Sequence, residues 1–148
     1  IGSERLYEGP KRGKGEVATI VVYRSDGSCI LEIDGVDARY AVVEGKKFYV
    51  LPGEHSIKMT VHLSANTVEG DRVINTTVES NQIHTVTFRA DAGHVYRAFS
   101  AIDDTRPDGQ RNWATWVYDI TEVGYPKRLA DVLGDRLVRQ LVAQYHDQ

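Results

Sequence analysis

The chain has 148 residues, and its 18 basic and 21 acidic side chains give a formal net charge of −3. This length suits a single domain, and 41% hydrophobic with 26% charged residues is an ordinary composition for a globular protein. Because the charges are scattered and form no basic stripe, we do not expect nucleic acid as a partner. The apolar runs are too short to cross a bilayer, and the single cysteine, Cys29, excludes an internal disulfide.

Residues 1–15 are expected to form an extended N-terminal segment of one domain that spans residues 1–148. The only methionine is Met59, so we expect that the natural chain starts upstream and that an export segment was removed or the start was trimmed. Any attachment to a membrane is expected to come only from such a removed N-terminal anchor.

Residues 16–121 predict an all-β region, since β-branched and aromatic residues lie between clusters of Gly, Asp, Asn and Pro. Asp26-Gly27 and Asp34-Gly35 favour tight hairpin turns, and Pro52-Gly53 favours a type II turn. Two later segments, "RVINTTVES" and "IHTVTFRA", are predicted to pair with each other across Ser80-Asn81. The fold that we predict is an antiparallel β-sandwich.

The stretch "YVLPGEHSIKMTVHL", residues 49–63, contains a histidine whose role must be decided. A period of two places His55 on a predominantly apolar face and His62 on the opposite, solvent-facing side. The residues that share the face of His55 are Ile57, Met59, Val61 and Leu63. We therefore predict a neutral, structural His55 whose ring nitrogens bond to backbone or to a hydroxyl. The alternatives are a catalytic base, or a metal site formed with His84 and His94 across strands.

Residues 127–146 predict an amphipathic helix with one apolar stripe. The stripe consists of Leu129, Leu133, Leu137, Leu141 and Tyr145, flanked by Val132, Val138 and Val142. Gly134 interrupts it. We expect this stripe to pack on a sheet or to form a homo-oligomer contact, because the polar face carries charges of both signs rather than the basic excess of a membrane-surface helix.

The one long polar segment is "DDTRPDGQRN", residues 103–112, for which a solvated turn and a calcium-binding loop are the two interpretations. Trp113 and Trp116 follow on one predicted strand and, being three apart, face opposite sides of it. We predict that Trp116 is buried and that Trp113 is exposed beside the polar segment, unless the C-terminal helix covers it. A candidate site for a sugar ring or a peptide then comprises Trp113, Arg111, Asp108 and Asp104.

Spacing reveals no motif for a catalytic triad, a phosphate-binding loop, a dinucleotide site or a zinc protease. We therefore expect a protein that is not an enzyme, with no catalytic residue, no cofactor and no metal. A hydrolase is the least favoured hypothesis, since no acid, base and nucleophile converge in the sequence.

The segment 30–61, which contains "IDG" and "LPGEHSI", resembles small extracytoplasmic β-domains of the Pro-Glu-Gly-Ala type. The resemblance implies a transthyretin-like or carboxypeptidase-regulatory-like sandwich. A wider likeness includes "LYEGPKRGKGEVATI", "FRADAGHVYRA" and "WVYDIT", in an order similar to that of uncharacterised bacterial envelope proteins, many of them lipoproteins. It implies a location in the periplasm or the outer cell envelope, and it specifies fold rather than activity.

Two functional hypotheses follow. The first is a non-catalytic structural or interaction module of the bacterial cell envelope, with a protein or cell-wall glycan as partner. The second is a glycan- or peptide-binding domain that uses an exposed Trp113 and the segment 103–112.

Overall fold

A computed structural model of the chain describes residues 3–39, 44–79, 82–102 and 113–144. These residues form ten strands, one short 3₁₀ helix at Lys14–Glu16 and two short α-helices near the C-terminus. The strands are β1 (Ser3–Arg5), β2 (Ala18–Val22), β3 (Ser28–Ile33), β4 (Val36–Asp37), β5 (Lys46–Val50), β6 (Gly53–Glu69), β7 (Arg72–Glu79), β8 (His84–Ala90), β9 (Val95–Ile102) and β10 (Trp113–Asp119). The predicted mostly β chain with a C-terminal helix is confirmed.

The strands belong to two sheets. The first sheet has the order β1-β5-β2-β9-β10, and the second has the order β4-β3-β6-β7, with β8 also paired to β6. Most pairs are antiparallel, but β1 runs parallel to β5 and β2 runs parallel to β9. These two pairs depart from the predicted antiparallel arrangement. Strands β2 and β9 are far apart in sequence, so no tight turn between them requires them to be antiparallel.

The predicted turns differ in what they connect. Asp34-Gly35 joins β3 and β4 as a hairpin with Ile33 opposite Val36, which confirms that prediction. Asp26-Gly27 instead joins β2 to β3, strands of different sheets, so the predicted hairpin is wrong. The predicted pairing of β7 with β8 is also wrong, because both strands pair with β6: Glu79 lies opposite His62, and His84 lies opposite Met59.

One hydrophobic cluster joins the two sheets. It combines residues of the first sheet, such as Ile20 and Phe48, with residues of the second, such as Ile33, Ile57 and Met59. All five side chains are at most 1% exposed. The predicted inward face of the stretch around His55 is confirmed where the structure describes it, because Ile57, Met59 and Val61 are buried and His62 is exposed.

A second cluster lies on β9, β10 and the C-terminal helices, α1 (Ala130–Leu133) and α2 (Asp135–Gln144). Its buried members are Phe99, Ala101, Ala114, Ile120, Leu129, Leu141 and Val142. The predicted single helix 127–146 is broken at Gly134, which has φ of +83°. The break changes the helix register, so that Leu137 is 43% exposed although it belonged to the predicted stripe; Tyr145 lies outside the described residues. Among the residues that the structure describes, neither helix is long and apolar enough to span a bilayer.

The second sheet has an extension that we call the arm, residues 62–79. Strand β6 has 17 residues. Its first half pairs with β3 and β8, whereas residues 62–69 pair with β7. At about 3.4 Å per residue, the eight Cα pairs of the arm extend over about 25 Å. The arm is a two-stranded ribbon: among the described strands, residues 62–69 of β6 pair only with β7, and β7 pairs only with β6.

Candidate functional site

The predicted site around Trp113 is corrected by the structure. Trp113 is 4% exposed, whereas Trp116 is 40% exposed, which reverses the expected burial of the two rings. Trp113 stacks on the ring of His84, with a centroid distance of 3.6 Å and an interplanar angle of 4°. Its neighbour His84 also contacts Thr115, with Nδ1 2.8 Å from the hydroxyl oxygen. Burial lowers the pKa of His84.

The reason for this reversal is that both faces of β10 are covered at its start, residues 113–115, but not at Trp116. One face carries Ala114, which packs with the C-terminal helices, and the other carries Trp113 and Thr115, which are buried with β8 residue His84. A sequence pattern of one strand does not show that both faces are covered. The other predicted site residues, Asp104, Asp108 and Arg111, lie outside the described residues, as does the calcium alternative for residues 103–112.

His55 lies at the centre of a polar clamp between two segments of the chain. Its Nδ1 is 2.5 Å from Asp34 Oδ2, and its Nε2 is 2.5 Å from the backbone oxygen of Leu51. The other carboxylate oxygen of Asp34 accepts a hydrogen bond of 2.8 Å from the backbone N–H of Ser56. The side chain of His55 is 13% exposed. Thus the imidazole ring of His55 connects Asp34 of the "IDG" turn to Leu51, and the hydrogen bond from Ser56 adds a second contact between the turn and the "LPGEHSI" segment.

The clamp explains an unusual backbone angle. Asp34 is the only non-glycine among the described residues with positive φ, at 51°. A short polar side chain that bonds locally is the type that tolerates this region. Asp34 Oδ2 and the Leu51 carbonyl oxygen are both hydrogen-bond acceptors, and each lies within hydrogen-bonding distance of one ring nitrogen of His55. The predicted structural role of His55 agrees with this geometry, and the predicted neutral ring stays a prediction.

A second histidine–carboxylate pair lies near the surface. His94 Nδ1 is 2.5 Å from Asp119 Oδ2, and the two side chains are 42% and 38% exposed. The hydrogen bond from His94 to Asp119 raises the pKa of His94. Burial acts to raise the pKa of Asp119, but the hydrogen bonds from Thr121 and His94 outweigh it and the pKa is lowered. The pair fastens the start of β9 to the end of β10.

Arg97 is the most deeply buried charge among the described residues, with a side-chain exposure of 1%. Its Nη1 donates hydrogen bonds to the backbone oxygens of Pro126 and Lys127, at 2.5 and 3.0 Å. Its Nη2 lies 3.2 Å from Asp26 Oδ2, and its guanidinium lies 4.1 Å from the ring centroid of Phe99. Burial lowers the pKa of Arg97 and raises that of Asp26, although each charge opposes the shift of the other.

A cavity of about 390 Å³ lies beside the N-terminal segment. Its walls come from β1, the loop that follows β1, the 3₁₀ helix and β5. Four cations and two aromatic rings line it: Arg5, Lys11, Arg12, Lys14, Tyr7 and Tyr49. Sequence reasoning missed this site, although the segment "GPKRGKG" carried a signal in its density of basic residues and glycine.

His55, His84 and His94 do not converge on a metal site. Within the described ranges, no group of three His, Cys, Asp or Glu residues is placed to hold a metal ion. Each of these histidines has separate structural partners instead. His55 contacts the Asp34 carboxylate and the Leu51 carbonyl. His84 contacts the Thr115 hydroxyl and stacks on Trp113, and His94 contacts the Asp119 carboxylate.

Sequence reasoning identified His55 but missed its partner Asp34, and it missed the pair of Arg97 and Asp26. The signal for the first was the "IDG" turn, which occurs 21 residues before the histidine. No local signal exists for the second, because the two residues meet only after β2 and β9 have paired. No protein family, curated protein or solved structure matches this chain.

Proposed function

We propose that this chain is a non-catalytic interaction module of the bacterial cell envelope, with a transthyretin-like or carboxypeptidase-regulatory-like sandwich as its body and the arm as its contact element. The observation that carries the proposal is the arm itself. Strand β7 pairs along its whole length with β6 and with no other strand among those described. An unpaired strand edge offers backbone donors and acceptors to an extended segment of another chain.

The sequence of the arm supports an edge that accepts a strand. Proteins that must avoid edge pairing place lysine, proline or inward-pointing charge on their edge strands. Residues 63–68 and 73–78 contain no charged residue and no proline. The charges of the arm lie at its ends, at Glu69, Asp71, Arg72 and Glu79.

The register of the arm is well defined at its tip. Gly70 and Asp71 form a two-residue turn between Glu69 and Arg72, and Gly70 has φ of +62°, as a type II′ turn requires at its first central position. The pair that flanks such a turn is hydrogen-bonded. Alternate residues of β7, such as Asn75, therefore direct their backbone N–H groups away from β6.

Site-specific photo-crosslinking in the intact cell envelope tests the proposal. A photoreactive residue at Val73, which is 69% exposed in β7, is compared with one at Val36, which is 47% exposed in β4. We expect a discrete adduct from position 73 and none above background from position 36. Equal labelling at both positions, or none at either, would contradict the proposal.

A backbone variant identifies the kind of contact. Asn75→Pro removes one outward N–H without removing a bond to β6, and we expect it to abolish the adduct formed at position 73. The matched control Asn75→Thr retains the N–H and should leave the adduct unchanged. Mass spectrometry of the adduct then identifies the partner segment, and an adduct of twice the chain mass assigns a second copy of the protein as the partner.

The location is tested separately. We expect the protein, produced in its native bacterium, to fractionate with the envelope and to resist added protease only while the outer layer is intact. Recovery in the cytoplasmic fraction would contradict the envelope assignment without affecting the arm experiment.

A further inference from the structure

We propose that the cavity beside the N-terminal segment, lined by Arg5, Lys11, Arg12 and Lys14, is a binding site for a phosphate-ester anion. The site is separate from the arm and goes beyond the function proposed above. Four cations face about 390 Å³ of open space, and among the described residues Glu4 contributes the one carboxylate that lines it.

The charge balance of the cavity favours an anion with more than one negative charge. Glu4 lies 4.0 Å from Lys46 Nζ, so a cation outside the cavity already accompanies the one lining carboxylate. The neighbouring Glu16 accepts a hydrogen bond from the backbone N–H of Gly13 and does not line the cavity. Within the described ranges, none of the four lining cations forms an ion pair with a carboxylate.

The backbone that carries these cations is hydrogen-bonded to the rest of the structure. Strand β1 is paired with β5, with Arg5 opposite Tyr49, and the backbone N–H of Leu6 donates to the oxygen of Tyr49 at 2.9 Å. The loop after β1 folds back, so that the backbone N–H of Arg12 donates to the Tyr7 hydroxyl at 3.0 Å. The Arg5 guanidinium lies 5.7 Å from the centroid of the Tyr7 ring.

The residue types specify the class of ligand. Two guanidinium groups offer planar forks that match phosphate oxygens, and two ammonium groups add flexible point charges. Tyr7 and Tyr49 add ring surface beside the cations, which suits a sugar or glycerol unit attached to the phosphate. A soluble phosphorylated metabolite and a lipid or polymer head group share this chemistry.

The test is a titration followed by NMR, with pyrophosphate, glycerol phosphate and citrate as soluble probes. Vesicles of phosphatidylglycerol test for binding to a membrane surface, and phosphatidylcholine vesicles are the neutral comparison. We expect saturable shifts at the backbone amides of Arg5, Tyr7 and Arg12 with the phosphate probes or with the anionic vesicles. Binding of the soluble phosphate probes but not of the vesicles would indicate a site for a phosphorylated metabolite. Binding of the anionic vesicles alone would indicate a site for a head group.

Charge variants decide whether the cavity is responsible. Arg12→Gln with Lys14→Gln should weaken binding at least tenfold, whereas Arg136→Gln with Arg139→Gln, which removes the same charge from α2, should change it less than twofold. The charge-conserving pair Arg12→Lys with Lys14→Arg should retain most of the affinity, which separates lost charge from lost folding. The proposal would be overturned if both Gln pairs lost affinity equally or if citrate bound as tightly as the phosphate probes. It would also be overturned if neither the soluble probes nor the anionic vesicles bound.

Discussion

The body formed by the two sheets and the arm formed by residues 62–79 share strand β6, but they differ in what surrounds that strand. In the body, β6 is paired on both sides and its residues Ile57 and Met59 are fully buried. In the arm, the strand has a single partner, β7. An isolated two-stranded ribbon is at best marginally stable in water. The comparison teaches that one strand can be enclosed on both sides in the body and have a single partner in the arm, and we expect the stability of the protein to reside in the body.

The largest effect is expected from the buried ion pair of the body. Arg97→Met leaves Asp26 without its cation, at a site where burial already raises the pKa of that carboxyl. We expect a loss of about 3 to 5 kcal/mol in the free energy of unfolding, measured by chemical denaturation. Arg97→Met combined with Asp26→Asn removes both charges and should lose less than the single variant. A loss under about 1 kcal/mol in the single variant would show that Arg97 is not needed to hold the body together.

The next effect concerns the clamp at His55. Glutamine in its place can donate to only one of the two acceptors, Asp34 and Leu51, so we expect His55→Gln to lose about 1 to 3 kcal/mol. The control Glu54→Gln lies at the next position of the same strand and is exposed, so it should change stability by less than about 0.5 kcal/mol. An unchanged stability, or a stoichiometric metal that the variant loses, would contradict the structural role.

A smaller effect should separate two histidines of the body by pH. The pKa of His94 is raised by its bond to Asp119, so its contribution is fully present below its ordinary value of 6.5 and is lost as the pH rises through the raised value. The pKa of His84 is lowered by burial, so its contribution is present above 6.5 and declines as the pH falls below it.

Denaturation at about pH 5 and about pH 8 measures these contributions. The destabilisation by His94→Gln should be greater at the lower pH, and that by His84→Gln should be greater at the higher pH. The same pH dependence for both variants would exclude the assigned partners.

The smallest effect is expected from removing the arm. Residues 64–77 can be replaced by an Asn-Gly turn. Leu63 lies opposite Val78, and because hydrogen-bonded pairs alternate along the ladder from Glu69–Arg72, this pair is hydrogen-bonded, as a two-residue turn requires. We expect the free energy of unfolding to change by less than about 1 kcal/mol, since the ribbon contributes little stability of its own. The photo-crosslinked adduct should be lost in the same variant. A large loss of stability would show that the arm belongs to the body.

The alternation of residues 55–62 was sufficient to predict their inward and outward sides, because a strand has a strict period of two. The turn at Asp34-Gly35 and the helical period after Pro126 were also evident from local chemistry. Gly134 indicated an interruption of the helix, but nothing in the sequence indicated that Leu137 would be exposed. A break changes which side chains face the sheet, and the extent of that change depends on how α2 packs against β9 and β10.

The sequence by itself determined the β-rich class, the inward face around His55 and the C-terminal helical region, because each follows from periodicity and turn chemistry within a few residues. Only the tertiary structure decided that Trp113 is buried, that Asp34 holds His55, that Arg97 meets Asp26, and that β7 pairs with β6 rather than with β8. These features join residues from different strands. A one-dimensional pattern shows which side of a strand is apolar, but the arrangement of the sheets determines what covers it.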